Sequence, residues 1–311
     1  MYDIIVIKNK GVPEMKKTAR RYISVFLCAV VLACSLGAFV FAEEEKPFYL
    51  VLGDSIGYGS GLKNSQDACY GRIVADTNGY DYANDAIPGH TTRNLLGRLA
   101  TPSVKEHVKQ ADIISISIGG NNFLLGNIAK VVFDVMVMKD TTSAEKIIDG
   151  FYTDYCKIIE TIRSLNPDAV ILMQTLYNPQ TGYIGEAYQS CIDMLNDAIR
   201  RYAAEHPGEI EIVDVAAALK DSEKDFAADR IHPSVAGNEK IAVEVLKKLV
   251  ELGLGKSAEP VITTKGIDIE VPSMLTNSMG IYGDILHFIA GLRSAVMIIV
   301  NFVLNSFKTA Y

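Results

Sequence analysis

Four short clusters in this sequence hold the residue types needed to activate a hydroxyl group and to stabilise the charge its attack creates. Ser55 stands in Gly53-Asp54-Ser55-Ile56-Gly57, and an open run, Tyr58-Gly59-Ser60-Gly61, follows it. A serine is a weak nucleophile at neutral pH until a base takes its proton, and the base usually needs a third group to orient it. His232 lies in Asp229-Arg230-Ile231-His232-Pro233, so a single loop supplies both an imidazole and a carboxylate. Attack on a carbonyl also builds a negative oxygen, and donors must already point at it. The Asn121 carboxamide in Gly119-Gly120-Asn121-Asn122 and the Gly89 N–H in Asn84-Asp85-Ala86-Ile87-Pro88-Gly89-His90-Thr91 suit that role, together with the Ser55 N–H. The chemistry these residues suggest is acyl transfer.

Such residues must be held by rigid elements. Between Pro47 and Leu252 short apolar runs alternate with helical stretches, which predicts a parallel α/β sheet. Strands are expected over Phe48–Leu52, Tyr80–Asn84, Asp112–Ile118, Ala169–Gln174 and Ile210–Asp214. Helices are expected over Tyr70–Asp76, Ser103–Gln110, Ser143–Leu165, Ile184–Glu205 and Ser234–Leu252. Asn166-Pro167 and His206-Pro207-Gly208 end two of these, because proline removes an amide donor and clashes with the preceding turn. In an open parallel sheet the ligand crevice lies at the carboxyl ends of the strands. Three of the four clusters directly follow a predicted strand, and the Asp229–Pro233 loop joins the last strand to the last helix.

The four motifs, in this order, resemble the SGNH or GDSL-type esterases and lipases, with the likeness running from about residue 48 to 250. The resemblance implies that Ser55 is the nucleophile, His232 the base and Asp229 its orienter, with Ser55, Gly89 and Asn121 forming the oxyanion hole. It also implies a three-layer α/β/α sandwich of flavodoxin-like type, around a five-stranded parallel sheet ordered 2-1-3-4-5, with no metal or organic cofactor. Two positions depart from the usual pattern: Ile56 stands where the family has leucine, and Asn122 where it commonly has aspartate. Asn122 and Phe123, beside the proposed donor, are expected to touch substrate. The apolar run Phe123–Met138 reads equally as a wall or lid for an acyl chain and as core.

Rival readings are weaker. Gly53–Gly57 also fits the G-x-S-x-G elbow of α/β-hydrolases, but that elbow normally follows several earlier strands, whereas Ser55 follows the first. A binding or scaffolding protein on the same fold has no need of Ser55, Asp229 and His232 together. An acyltransferase uses the same acyl-enzyme and is not separable by sequence. Gly57, Gly59 and Gly61 lack the pattern of a phosphate loop, and Asp76–Gly79 does not continue as a calcium loop, since Ile87 stands where the bidentate glutamate belongs. His90 reads as a solvated loop residue, and His107 and His206 as helix-end residues.

The chain has 311 residues, 49% hydrophobic and 22% charged, with a mean hydropathy of +0.17. That composition excludes disorder as the main state, and 37 acidic against 30 basic residues argues against a general grip on nucleic acid. The hydrophobicity is concentrated at both ends. From Tyr22 to Ala42 every residue except Ser24, Ser35 and Gly37 is hydrophobic, with Lys16, Lys17, Arg20 and Arg21 just before. This predicts an export signal over residues 1–42, starting either at Met1 or at Met15 and cleaved after Ala42; an uncleaved anchor is the alternative. The expected catalytic domain is 43–252, followed by a linker over 253–273 and an amphipathic hydrophobic helix over 274–311. That helix carries a narrow polar stripe and lies either in a membrane interface, with contact over 274–308, or against protein. Its longest uncharged run, the 14 residues between Arg293 and Lys308, is short of the about 20 needed to span a bilayer. Cys69, Cys156 and Cys191, the cysteines outside the expected signal, read as small buried or half-buried residues rather than a disulfide framework. The expected partner is a small-molecule, lipid or polysaccharide ester.

Overall fold

The computed structural model describes residues 46–124, 128–180, 182–221 and 223–270, with 22, 25, 26, 285, 288–294 and 296–301 from the two hydrophobic ends. In chain order the elements are β1 (Phe48–Gly53), α1 (Ser55–Tyr58), α2 (Ser65–Ala68), α3 (Tyr70–Asn78), β2 (Asp81–Asn84), α4 (Thr92–Arg98), α5 (Pro102–Gln110), β3 (Ile113–Ser117), α6 (Gly120–Leu124) and α7 (Ile128–Phe133). A π-helical turn, Asp134–Met138, comes next, followed by α8 (Thr142–Leu165), β4 (Val170–Gln174), α9 (Gly182–Glu205), β5 (Glu211–Val213), α10 (Val215–Ala218) and α11 (Val235–Glu251).

The strands form one sheet in the order β2-β1-β3-β4-β5, with every neighbouring pair parallel. Alternation along each strand divides the core into two layers, because successive side chains leave opposite faces of the sheet. Leu50, Leu52, Ile114, Ile116, Ile171 and Met173 pack on one face against α4, α5, α8 and α9. Tyr49, Val51, Ile113, Leu172 and Val213 pack on the other against α3 and α11. The expected three-layer sandwich, strand order and parallel pairing are what the protein has. β3 is buried along its whole length, and its sequence accordingly carries no charged residue, only isoleucines with Ser115 and Ser117 between and after them.

The chain divides after Glu45 into two compact units, Met1–Glu45 and Lys46–Tyr311. In the first, the described residues Tyr22, Val25 and Phe26 are helical and exposed; the rest of the expected export signal lies outside the described residues. Of the C-terminal helix, residues 288–294 and 296–301 are helical, with Phe288, Leu292, Val296, Ile298 and Ile299 exposed. Ala290 packs on Val132, Met136 and Val137, and Arg293 donates to the Met138 carbonyl at 3.3 Å. Among the described residues, no helix is long and apolar enough to cross a membrane. Cys69 and Cys191 are buried, Cys156 is half-buried, and all three are free.

Candidate active site

β1 delivers the chain to Ser55 through a tight turn. Gly53 sits at φ +127, and a Cβ there would lie 1.9 Å from the Ser117 carbonyl, so both the backbone conformation and the contact with β3 require glycine. Asp54 then caps α1: its Oδ1 accepts the Ile56 N–H at 3.0 Å, which puts Ser55 at the first helical position, above the carboxyl end of β1. The Asp54 carboxylate is buried, and burial pushes it up to about 6 even though the Ile56 N–H and the Ser117 hydroxyl pull the other way.

The base comes from the loop before α11. Ser234 caps that helix by accepting from the Gly237 N–H, and Asn238 reaches back from its second turn to the Pro233 carbonyl at 3.1 Å. The loop is further held by Asp225, fully buried, which accepts from the N–H groups of Lys220 and Asp221 and pairs with Lys240 at 2.6 Å. Tyr177 donates to the Ile231 carbonyl at 2.9 Å. Arg230, at φ +54, makes the turn that lets Asp229 Oδ1 accept from both the Ile231 and His232 N–H groups at 3.0 Å.

This framework brings Ser55, 177 residues away in sequence, to the Asp229–His232 pair of the loop before α11. His232 Nε2 lies 2.8 Å from Ser55 Oγ, and His232 Nδ1 lies 2.6 Å from Asp229 Oδ2. Burial works to raise the Asp229 carboxyl, but its hydrogen bonds from the His232 ring and from the His232 and Ile231 N–H groups together hold it below the ordinary value. A carboxylate, an imidazole and a hydroxyl in this relay are able to move a proton off the hydroxyl.

The expected donors are also at this end of the sheet. Asn121, in α6, lines the same cavity as Ser55, and its Nδ2 donates to the His90 carbonyl at 3.0 Å. An amide nitrogen carries two hydrogens, so one orients the side chain and the other remains to be used. Gly89 sits at φ +81 and is exposed; the space where its side chain would stand is empty for 4 Å. Among the described residues, neither the Ser55 nor the Gly89 N–H has a backbone or side-chain acceptor.

Residues 51–240 match the profile of the GDSL-like lipase/acylhydrolase family. The chain belongs to that family. As a member it is a hydrolase of ester bonds. Among related proteins, it is 28% identical over 185 residues to the uncharacterized protein YpmR of Bacillus subtilis, which spans 57% of this chain and 69% of that protein. It is 27% identical over 178 residues to the spore germination lipase LipC of Bacillus licheniformis, covering 55% and 77% respectively. The crystal structure of the lipase Lip_vut3 from a goat rumen metagenome shares the fold with a TM-score of 0.55 and 24% identity, over 68% of this chain and 99% of that one.

Asn122, Phe123 and His90 are placed differently from expectation. Asn122 does not line the cavity: its Oδ1 accepts from the Thr92 N–H and its Nδ2 donates to Thr92 Oγ1, so the carboxamide is spent anchoring α4. Phe123 is a core side chain, buried against α8, and among the described residues of the run from Phe123 only Leu124 lines the cavity. Val131, Val132, Met136 and Val137 are buried as well. His90 is half-buried rather than solvated, with Nδ1 lacking a partner, and burial lowers its basicity.

The wall of the cavity comes from a segment that sequence reading did not single out. A cleft of about 620 Å3, part of it open to solvent, runs from Asp54, Ser55 and Asn121 to Leu176, Tyr177, Pro179, Tyr188 and Ile192. The signal was present: Thr175-Leu176-Tyr177-Asn178-Pro179 follows β4 at the same carboxyl edge of the sheet as the other clusters. Asn196 fixes this loop, accepting from the Leu176 N–H at 2.7 Å and donating to its carbonyl at 2.8 Å.

Proposed function

We propose that the chain is an exported serine esterase of lipase type, which cleaves carboxylic esters through an acyl-enzyme on Ser55. The observation that carries this reading is the unbroken contact from Asp229 through His232 to Ser55 Oγ. His232 Nε2 takes the Ser55 proton as Oγ bonds to the ester carbonyl carbon, and the carbonyl electron pair moves onto oxygen. The Ser55 and Gly89 N–H groups and the free Asn121 N–H receive that charge. The oxyanion collapses, the alkoxide leaves with the proton from His232, and the acyl group stays on Oγ. Water, deprotonated by His232, then releases the acid and restores Ser55. Asp229 stays ionised throughout and balances the imidazolium.

The apolar wall of Leu176, Tyr177, Pro179, Tyr188 and Ile192 favours the acyl part of a lipid ester, such as a lysophospholipid, over a short acetyl group on a polysaccharide. The likeness to a spore germination lipase points the same way. The residues before Glu43 are read as the export signal, and the exposed apolar residues of 288–294 and 296–301 as a contact with a lipid surface. Hydrolysis of nitrophenyl esters of two, four, eight and sixteen carbons by wild type and Ser55→Ala tests the proposal. Equal rates for the two proteins on every ester remove Ser55 from the mechanism. A preference confined to the two-carbon ester assigns a carbohydrate deacetylase instead, and ester formation with an added alcohol assigns an acyltransferase.

A further inference from the structure

The segment after α11 does not leave the domain. Its first part follows α3: the Lys256 N–H donates to Asn78 Oδ1 at 2.8 Å and the Val261 N–H to Thr77 Oγ1 at 2.9 Å. Residues 265–270 then run antiparallel to the loop that leaves α1. The Lys63 N–H donates to the Ile267 carbonyl at 2.7 Å, the Ile269 N–H to the Gly61 carbonyl at 3.1 Å, and Leu62 bridges Asp268. Asn64 adds two bonds, from Nδ2 to the Lys265 carbonyl and from the Ile267 N–H to Oδ1, both at 3.0 Å.

The same six residues also hold the other half of the site. Asp268 Oδ1 accepts the N–H of Val235, the first residue of α11, at 2.7 Å. Gly266 lies so close to Val235 that a Cβ there would come within 2.9 Å of its side chain. Between the two halves there is no slack: a Cβ on Gly61 would meet the Pro233 carbonyl at 2.0 Å and His232 Cβ at 3.2 Å. The loop after the serine helix therefore rests directly on His232-Pro233, and residues 265–270 bind both from outside. The family match ends at residue 240, so this element lies beyond the part shared with the family profile.

We infer that residues 265–270 are a strap that sets the distance between Ser55 and His232, with Asp268 as its positioning residue. The inference rests on Ser55 and His232 being the reacting pair. Asp268 joins Leu62, on the nucleophile's side, to Val235, on the base's side, and no residue of the strap lines the cavity. Loss of that link lets the two loops separate while the substrate's own contacts stay in place. The effect belongs in kcat and not in KM.

The test uses the full chain and counts working sites with a fluorophosphonate, which loses fluoride as Ser55 Oγ bonds to phosphorus. Asp268→Ala is expected to lower kcat per titrated site on a butyrate ester about tenfold, with KM within about twofold of wild type. Asp268→Asn, which keeps the acceptor oxygen, restores most of the rate. Val235→Pro removes the donor from the opposite end, at a helix position where proline is tolerated, and is expected to reproduce the loss. It decides the question alone if Asp268→Ala yields no titratable sites. Wild-type kcat per site in both variants, whatever happens to their melting temperatures, overturns the strap. Equal labelling of wild type and Ser55→Ala instead overturns the assignment of Ser55, and is read before either strap variant.

Discussion

Ser117 Oγ, on β3, donates to Asp54 Oδ1 at 3.2 Å and accepts from the Gly57 N–H at 3.1 Å, so one buried hydroxyl ties down the turn that presents Ser55 from both ends. Ser117→Ala leaves a buried carboxylate oxygen and a buried amide without that partner. A cost of about 1–3 kcal/mol in urea unfolding is expected, together with a lower kcat on short esters. Unfolding at the wild-type urea midpoint would show that the hydroxyl has no such role.

Asp54 itself predicts a pH dependence of stability. Its carboxyl is raised from 3.8 to about 6 in the folded protein, chiefly by burial. With the folded value above the unfolded one, the stability it contributes is fully present below about pH 3.8 and is lost as pH rises through about 6. Asp54→Asn keeps the cap without the titration. Relative to that variant, wild type is expected to lose on the order of 3 kcal/mol between about pH 4 and 7. Parallel stability curves for the two proteins across that range would refute the shift.

The Asp229 carboxyl, held below its ordinary value, orients the His232 ring through Nδ1. In Asp229→Asn the amide can present a donor to that nitrogen, which turns the neutral ring so that Nε2 carries a hydrogen and no longer accepts one from Ser55. A fall in kcat of about 10³-fold or more at neutral pH is expected, with little change in KM. A fall of less than about tenfold would mean that Asp229 does not orient the base.

The parts of this protein legible in its sequence are those with a strong local signature. β1, β3 and β4 are buried on both faces and read as mainly apolar runs, interrupted in β3 by Ser115 and Ser117, and three of the site motifs stand immediately after a strand. α1 and α6 escaped because four or five residues are too few to show a helical period. Tyr188 and Ile192 were hidden for another reason: they are four apart on α9, and a buried stripe at that spacing looks the same whether it meets the core or a cavity. Residues 253–270 have no periodicity because their attachments are single contacts, from backbone groups to α3 and Asn64 and from the Asp268 carboxylate to Val235, partners that sequence does not pair.

The C-terminal helix predicts a separable property. Its described contacts, from Ala290 and Arg293 to the 132–138 region, lie away from Ser55 and His232 in the chain, and its exposed apolar residues face outward. Deleting 274–311 is expected to weaken sedimentation with liposomes while hydrolysis of a two-carbon ester persists. Unchanged sedimentation would remove the lipid contact from this helix.

Leu176 offers the most direct test of which esters the cavity accepts. It is half-buried, and a Cβ on Gly119 would lie 3.3 Å from its Cδ2, so this side chain is the part of the apolar wall next to the turn that leads to Asn121. Its backbone is clipped by Asn196 on both sides, which leaves the loop in place when the side chain is shortened. Leu176→Ala removes apolar surface from the wall but nothing from the proton relay. Each methylene of contact is worth about 0.8 kcal/mol, so the eight-carbon ester is expected to lose about tenfold in kcat/KM. The two-carbon ester, too short to use the full wall, is expected to lose less than about threefold. Equal losses on both esters would place the acyl chain elsewhere, because a side chain that binds only the tail cannot alter a substrate that lacks one.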